Sequence, residues 1–256
     1  MLNSDYPFAV ALERFHKGEF KAVQVLCEEI LVRDPIHEGA WQLSGRLLRM
    51  QGRHQDAIQV FEDILKRSPN AVEALLELAL AYLETKQYDK ALETSKRIVG
   101  LDSSIARGHL YLGCAQHSLL SLEESAQSFE NVLRLEPNHF EATVNLGNVY
   151  HTLGRFSDAV TCYQRAIEWK PDRAVTFFNL AGSLRQVNRL DEAKSCIEHA
   201  LQLDGNYARA FMRYGDILSD QRLFDEAVSA YQKSIALGLK DSRLFIASGI
   251  ALRRLG

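Results

Sequence analysis

Ala11, Gly45, Ala79, Gly113, Gly147, Ala181, Gly215 and Gly249 follow one another at intervals of 34 positions, and no slot in the series holds anything larger than alanine. A fixed interval of roughly 20–50 residues marks a stack of supersecondary units rather than a domain built around one central core. In such a stack each unit touches only its neighbours, so 256 residues need not be divided into ordinary globular domains. No stretch rich in Pro, Gly or Ser interrupts the series, which predicts one continuous array.

Residues 140–173 show what one unit is. Val144, Leu146, Val149, Tyr150 and Leu153 recur at helical spacing, and Gly154 supplies a stop and a turn. Phe156, Ala159, Val160, Tyr163, Ala166 and Ile167 then share one face of a second helix, which Pro171 ends because proline cannot continue it. The unit is a helix–turn–helix hairpin. Its small columns imply close helix crossings, where a larger side chain would overpack the contact at a cost of about 1–3 kcal/mol. Helices of about 14 residues are marginal alone, so stacking supplies the stability. One second-helix column changes from Ile30, Ile64, Ile98 and Val132 to Ala166, Ala200 and Ser234. That change predicts closer helix packing, with altered curvature, from the fifth unit on.

Thr143, Leu146, Gly147, Tyr150, Ala159, Tyr163 and Pro171 resemble the tetratricopeptide-repeat pattern W-x2-L-G-x2-Y…A-x3-F…P. Trp41, Gly45, Leu48, Ala57, Phe61 and Pro69 repeat the match, with Ser44 in place of the Leu before the Gly. The resemblance implies an all-α fold, a right-handed α-α superhelix of stacked antiparallel hairpins. It covers residues 4–256 as a single array, with units at 4–37, 38–71, 72–105, 106–139, 140–173, 174–207 and 208–241 and a partial unit at 242–256.

Composition narrows the function. No GxSxG, P-loop, GxGxxG or HExxH occurs, so no catalytic residue, metal or cofactor is expected. The four cysteines have no CxxC spacing and read as small buried hydrophobes rather than zinc ligands or disulfides. His117 and His151, 34 apart, read as solvated groove side chains. A net charge of −3 gives no pull toward nucleic acid, and no run approaches the roughly 20 apolar residues of a membrane span. The N-terminal residues lack a basic region, an apolar run and a cleavage site, which predicts mature cytoplasmic sequence.

The resemblance implies that the first helices line a concave groove that holds a peptide. The column Phe8, Gln42, Leu76, Leu110, Val144, Phe178, Met212 and Ile246 reads either as an apolar floor of that groove or as packing between first helices. Members of the family that grip a C-terminal carboxylate use Lys and Asn one turn apart, then Asn, then Lys and Arg one turn apart. The matching positions here are Val144 and Asn148, Asn179, and Arg209 and Arg213, with Val144 removing one cation. Guanidinium forks suit carboxylates. The alternative is that Arg209 and Arg213 are solvated or pair with Asp216 or Asp220. Arg185 adds positive charge, and Asn145 with Asn179 resembles the start of the asparagine ladder in O-linked N-acetylglucosamine transferases. Glu73, Glu77 and Glu84 predict an acidic zone, Arg46 and Arg49 a basic one, and Arg243, Arg253 and Arg254 a basic end.

These readings predict a non-catalytic scaffold binding a peptide or C-terminal segment of another protein, without nucleic acid or membrane insertion. The candidate groove residues are Asn145, Asn148, Asn179, Arg185, Arg209, Arg213, Phe178 and Met212. Two alternatives stay open. One is the substrate-recruiting region of a larger glycosyltransferase, suggested by the asparagine pair and by residues 242–256, which read as a first helix without its partner. The other is a homo-oligomer formed through the array ends.

Overall fold

A computed structural model describes residues 5–255; Ser4 and Gly256, the ends of the expected array, lie outside the described residues. Contacts divide the chain between Leu135 and Glu136 into two compact units. The N-terminal unit contains four hairpins: α1 (Asp5–His16) with α2 (Phe20–Arg33), α3 (Glu38–Met50) with α4 (His54–Arg67), α5 (Val72–Glu84) with α6 (Tyr88–Leu101), and α7 (Ala106–Ser118) with α8 (Leu122–Leu135). The C-terminal unit contains three: α9 (Phe140–Thr152) with α10 (Phe156–Trp169), α11 (Ala174–Gln186) with α12 (Leu190–Leu203), and α13 (Ala208–Asp220) with α14 (Phe224–Ala236). These are followed by α15 (Ser242–Leu255). The described residues are all-α, and within each unit the hairpins stack as a solenoid.

The turn inside each hairpin obeys the same period. Gly18, Gly52, Lys86, Leu120, Gly154, Asn188 and Arg222 all have φ between 59° and 77°. The next residue's N–H donates back into the first helix, as from Arg53 to the Leu48 carbonyl at 2.9 Å and from Arg155 to Tyr150 at 2.8 Å. This left-handed closure satisfies carbonyls that the helix end leaves open. Two first helices begin on a histidine cap. The Nδ1 atoms of His37 and His139 accept from the N–H groups of Ala40 and Ala142, each at 3.1 Å.

The small column follows a simple rule. Where it holds glycine, the residue 16 positions later is aromatic: Gly45 with Phe61, Gly113 with Phe129, Gly147 with Tyr163 and Gly215 with Tyr231. A Cβ on Gly45, Gly113 or Gly147 would lie 2.6, 2.8 or 2.7 Å from the ring, and one on Gly215 would also meet Tyr231. Where the column holds alanine, the opposite residue is Cys27, Ser95 or Ile197. The four rings are all at most 1% exposed. Each glycine-bearing repeat therefore buries an aromatic ring in the space that the missing methyl group leaves on the facing helix.

The column from Ile30 to Ser234 is buried throughout, and Ser234 Oγ donates to the Ala208 carbonyl at 2.8 Å. The column from Phe8 to Ile246 does not behave as one surface. Leu76, Leu110 and Phe178 are buried, Val144 and Met212 are half-buried, and Ile246 is 63% exposed. Packing between first helices accounts for most of it.

Candidate binding site on the first helices of the C-terminal unit

Helical spacing assembles the site from two facing stripes. Phe178, Gly182 and Arg185 lie at i, i+4 and i+7 on α11, and Arg209, Met212, Arg213 and Asp216 at i, i+3, i+4 and i+7 on α13. These residues, with His151 of α9, Gln186, Leu239, Asp241 and Arg243, line a pocket of about 210 Å³. Five of the eight groove residues expected from the sequence, Phe178, Arg185, Arg209, Met212 and Arg213, thus converge.

Arg213 is held from three sides. Its Nη1 donates to the Phe178 carbonyl at 2.9 Å, and its guanidinium carbon lies 3.9 Å from the centre of the Phe178 ring. Gly182 makes room for it, because any Cβ there would run into the guanidinium. Burial pulls its pKa down to about 10, leaving it charged at neutral pH. Arg209, exposed, stands over the same ring with its carbon 5.6 Å from the centre. A cation over an aromatic face is attracted by the ring quadrupole.

Asp216 and Asp220 serve a different arginine from the two considered above. Arg185 Nε donates to Asp220 at 2.6 Å and its Nη1 reaches Asp216 at 3.5 Å. The other oxygen of Asp216 accepts from Tyr231 Oη at 3.0 Å. Arg243 is paired with Asp241 at 2.6 Å. Among the described residues neither Arg209 nor Arg213 enters an ion pair.

The asparagines sit beside the pocket rather than in its lining. Asn148 Oδ1 accepts both from Tyr163 Oη at 2.7 Å and from Asn179 Nδ2 at 3.0 Å. Asn148 and Asn179 are thus brought together, and Asn145 is half-buried on the same helix as Asn148. His151 is not a solvated side chain as expected. It is half-buried, its Nδ1 lies 2.8 Å from Ser183 Oγ, and burial, helped by the Arg213 charge, lowers its pKa.

Three profiles described as tetratricopeptide repeat, TPR repeat and tetratricopeptide repeat match residues 48–103, 147–184 and 178–241. The chain belongs to the tetratricopeptide-repeat family. Among relatives, it is 31% identical over 115 residues to Protein CTR9 homolog of Arabidopsis thaliana, a match spanning 43% of this chain and 10% of that protein. It is 32% identical over 93 residues to RNA polymerase II-associated protein 3 of Homo sapiens, spanning 36% of this chain and 14% of that one. The matches thus span about a tenth to a seventh of these relatives' length. A chain of the APC/C hetero-tetramer Cut9–Hcn1 has the same fold, with a TM-score of 0.78 at 17% identity, covering 94% of this chain and 48% of that one.

Within this tetratricopeptide-repeat chain, contacts between successive first helices follow offsets the 34-residue columns hide. Asn148–Asn179, Arg46–Glu77 and Arg185–Asp216 are 31 apart, while Arg49–Glu84, Arg185–Asp220 and the Phe178 carbonyl–Arg213 contact are 35 apart. Reading Arg185 at +31 and +35 finds both its partners, and reading Arg213 at −31 finds Gly182. The expected acidic and basic zones of the second and third repeats are corrected by their contacts across neighbouring helices. Arg46 contacts Glu73 at 3.1 Å and Glu77 at 2.8 Å, Arg49 contacts Glu77 at 3.3 Å and Glu84 at 2.7 Å, and Arg107 contacts Glu73 at 2.9 Å. The zones form one interlocked network. Among the described residues no helix is long and apolar enough to cross a membrane, and no group of three or more His, Cys, Asp or Glu could hold a metal.

Proposed function

We propose that this chain is a non-catalytic interaction module that holds a peptide segment of a partner protein against the first helices of α9, α11 and α13. Tetratricopeptide-repeat proteins are in general protein-interaction scaffolds. The observation that carries the finer reading is the pocket at Phe178, Met212, Arg209 and Arg213, where two cations without carboxylate partners stand over one aromatic ring. Asn148 and Asn179, bonded to each other, would meet a peptide backbone in this reading. An anionic group of the peptide would take the two guanidinium forks, and Phe178 and Met212 its neighbouring apolar atoms. Val144, half-buried, contributes no cation, so the anion relies on α13.

The test is binding of peptides by wild type and by Arg209→Ala combined with Arg213→Ala. Loss of affinity together with a shallower salt dependence is expected. Unchanged affinity and salt dependence would overturn the reading.

A second reading, association with another copy of the chain, is favoured by α15, where Phe245, Ile246, Ile250 and Leu252 are exposed. Light scattering across a concentration range checks it, and a strictly monomeric mass at high concentration excludes it.

A further inference from the structure

The pocket in the C-terminal unit has an odd balance of charge. Its lining holds Arg185, Arg209, Arg213 and Arg243 against Asp216 and Asp241. Arg185 is matched by Asp216 and Asp220, and Arg243 by Asp241. His151 adds no charge at neutral pH, since burial holds its pKa below the ordinary value. Arg209 and Arg213 are the two cations of the lining that form no ion pair among the described residues, and both lie over the Phe178 ring. A lone carboxylate supplies one negative charge. A phosphomonoester supplies about 1.5 to 2 at pH 7, with three acceptor oxygens.

The donors fit the larger anion too. Arg213 spends Nη1 on the Phe178 carbonyl, which leaves its Nε and Nη2 edge as a fixed pair of donors. Its orientation is set by the ring beneath and by the space that Gly182 leaves, so little rotamer freedom is lost on binding. Arg209, exposed over the same ring, supplies the second guanidinium. The acidic residues of the lining are already engaged, which keeps Arg185 and Arg243 from competing for the anion. Burial lowers the pKa of Arg213 more than the nearby Asp216 charge raises it, and a bound anion would add to the effect of Asp216.

We propose that this pocket seats the phosphomonoester of a phosphorylated side chain on the partner peptide, with Arg213 and Arg209 as the two recognising cations. The proposal rests on the reading that this face binds a peptide, and it names the group that the pocket selects.

Three probes of one sequence separate the two levels. They are N-acetylated, C-amidated Ala-Ala-phosphoserine-Ala-Ala; the same peptide with plain serine; and the plain-serine peptide with a free C-terminal carboxylate. Titration calorimetry of the full chain is expected to give binding of the phosphopeptide about tenfold or more tighter than of the carboxylate peptide, as a dianion on two guanidinium forks requires. Arg213→Gln and, separately, the exposed Arg209→Gln should each abolish most of that preference, with helix content and Tm recorded to show that both variants fold. If the carboxylate peptide binds as tightly as the phosphopeptide, and Arg213→Gln weakens both, the phosphate assignment falls and peptide binding stands. If no probe binds, or if binding ignores both arginine substitutions, the phosphate assignment and the peptide reading fall together.

Discussion

The N-terminal unit places Arg46 and Arg49 on a first helix and surrounds them with Glu73, Glu77 and Glu84 of the next. The C-terminal unit places Arg209 and Arg213 on a first helix and gives them an aromatic ring and a backbone carbonyl instead. The repeat architecture is the same, yet the charges do different work. In the first case every guanidinium is consumed by the fold, and its removal is a stability event. In the second, neither guanidinium enters an ion pair among the described residues, and on the proposed reading their removal is a binding event.

Glu77→Gln offers the largest test of that contrast. The Glu77 side chain is only 8% exposed and bridges both Arg46 and Arg49. Its loss leaves two partly buried cations with fewer partners. We expect a destabilisation of about 2 kcal/mol, below the 3–5 kcal/mol of a fully buried pair because Arg46 keeps access to water and to Glu73. Urea denaturation measures it. Arg213→Gln should change stability by less than about 1 kcal/mol, since the lost cation–π contact is offset by relief of a buried charge. Similar costs at the two sites would erase the distinction.

The glycine and ring pairs sharpen the comparison at constant packing chemistry. Gly45→Ala pushes on Phe61 and Gly147→Ala pushes on Tyr163, from Cβ positions 2.6 and 2.7 Å away. Both should cost about 1–3 kcal/mol by overpacking. Only the second should disturb the candidate site, because Tyr163 Oη is bonded to Asn148. Denaturation of both variants, with peptide titration of Gly147→Ala, reads the two effects apart. Combining Gly45→Ala with Phe61→Ile, the pairing native at Ala181 and Ile197, should recover part of the loss, and a double-mutant cycle measures the coupling.

Much of this was readable from residue identity, for a physical reason. Periodicity reports which residues share a position in every unit, so the hairpins and the turns emerge from counting, whereas the arginines of α13 are singled out by the resemblance to carboxylate-gripping members of the family. Which charge meets which does not emerge, because a column records equivalence and not contact. Arg185 was correctly seen as cationic, but its carboxylates lie at offsets of 31 and 35 set by how neighbouring helices pack. Gly182 is mute in the sequence, since its function is to be empty. His151 looked solvated because helical spacing alone cannot say how deeply the next unit's Ser183 covers it.

Each unit also contains a half-buried histidine whose charge the fold resists. Burial lowers the pKa of His117 in the N-terminal unit, and burial plus the Arg213 charge lowers that of His151 in the other. The unfolded chain therefore binds more protons below the ordinary histidine value of about 6.5, so stability should fall as pH drops through that value and level off below the folded pKa values. Proton NMR titration of the two imidazoles distinguishes them. Arg213→Gln should raise the pKa of His151 and leave that of His117 unmoved; equal movement of both would mean that Arg213 is not the local source.

The smallest expected effect is also the most evenly shared between the units. Leu120 and Arg222 hold φ of 62° and 64° at turn positions where Gly18, Gly52 and Gly154 stand in other repeats. A side chain in this region costs about 1–2 kcal/mol, and glycine gives back roughly half of the relief through its freedom in the unfolded chain. Leu120 is 74% exposed, so its truncation sacrifices little packing. Leu120→Gly and Arg222→Gly should each stabilise by about 0.5–1 kcal/mol, seen as a small rise in Tm. Equality of the two gains is the informative outcome. A backbone effect local to a turn is blind to whether the nearby arginines are neutralised by glutamates or stand without an ion pair. A gain confined to one unit would show that the turns are coupled to the charge networks, and that the difference between the units reaches beyond their first helices.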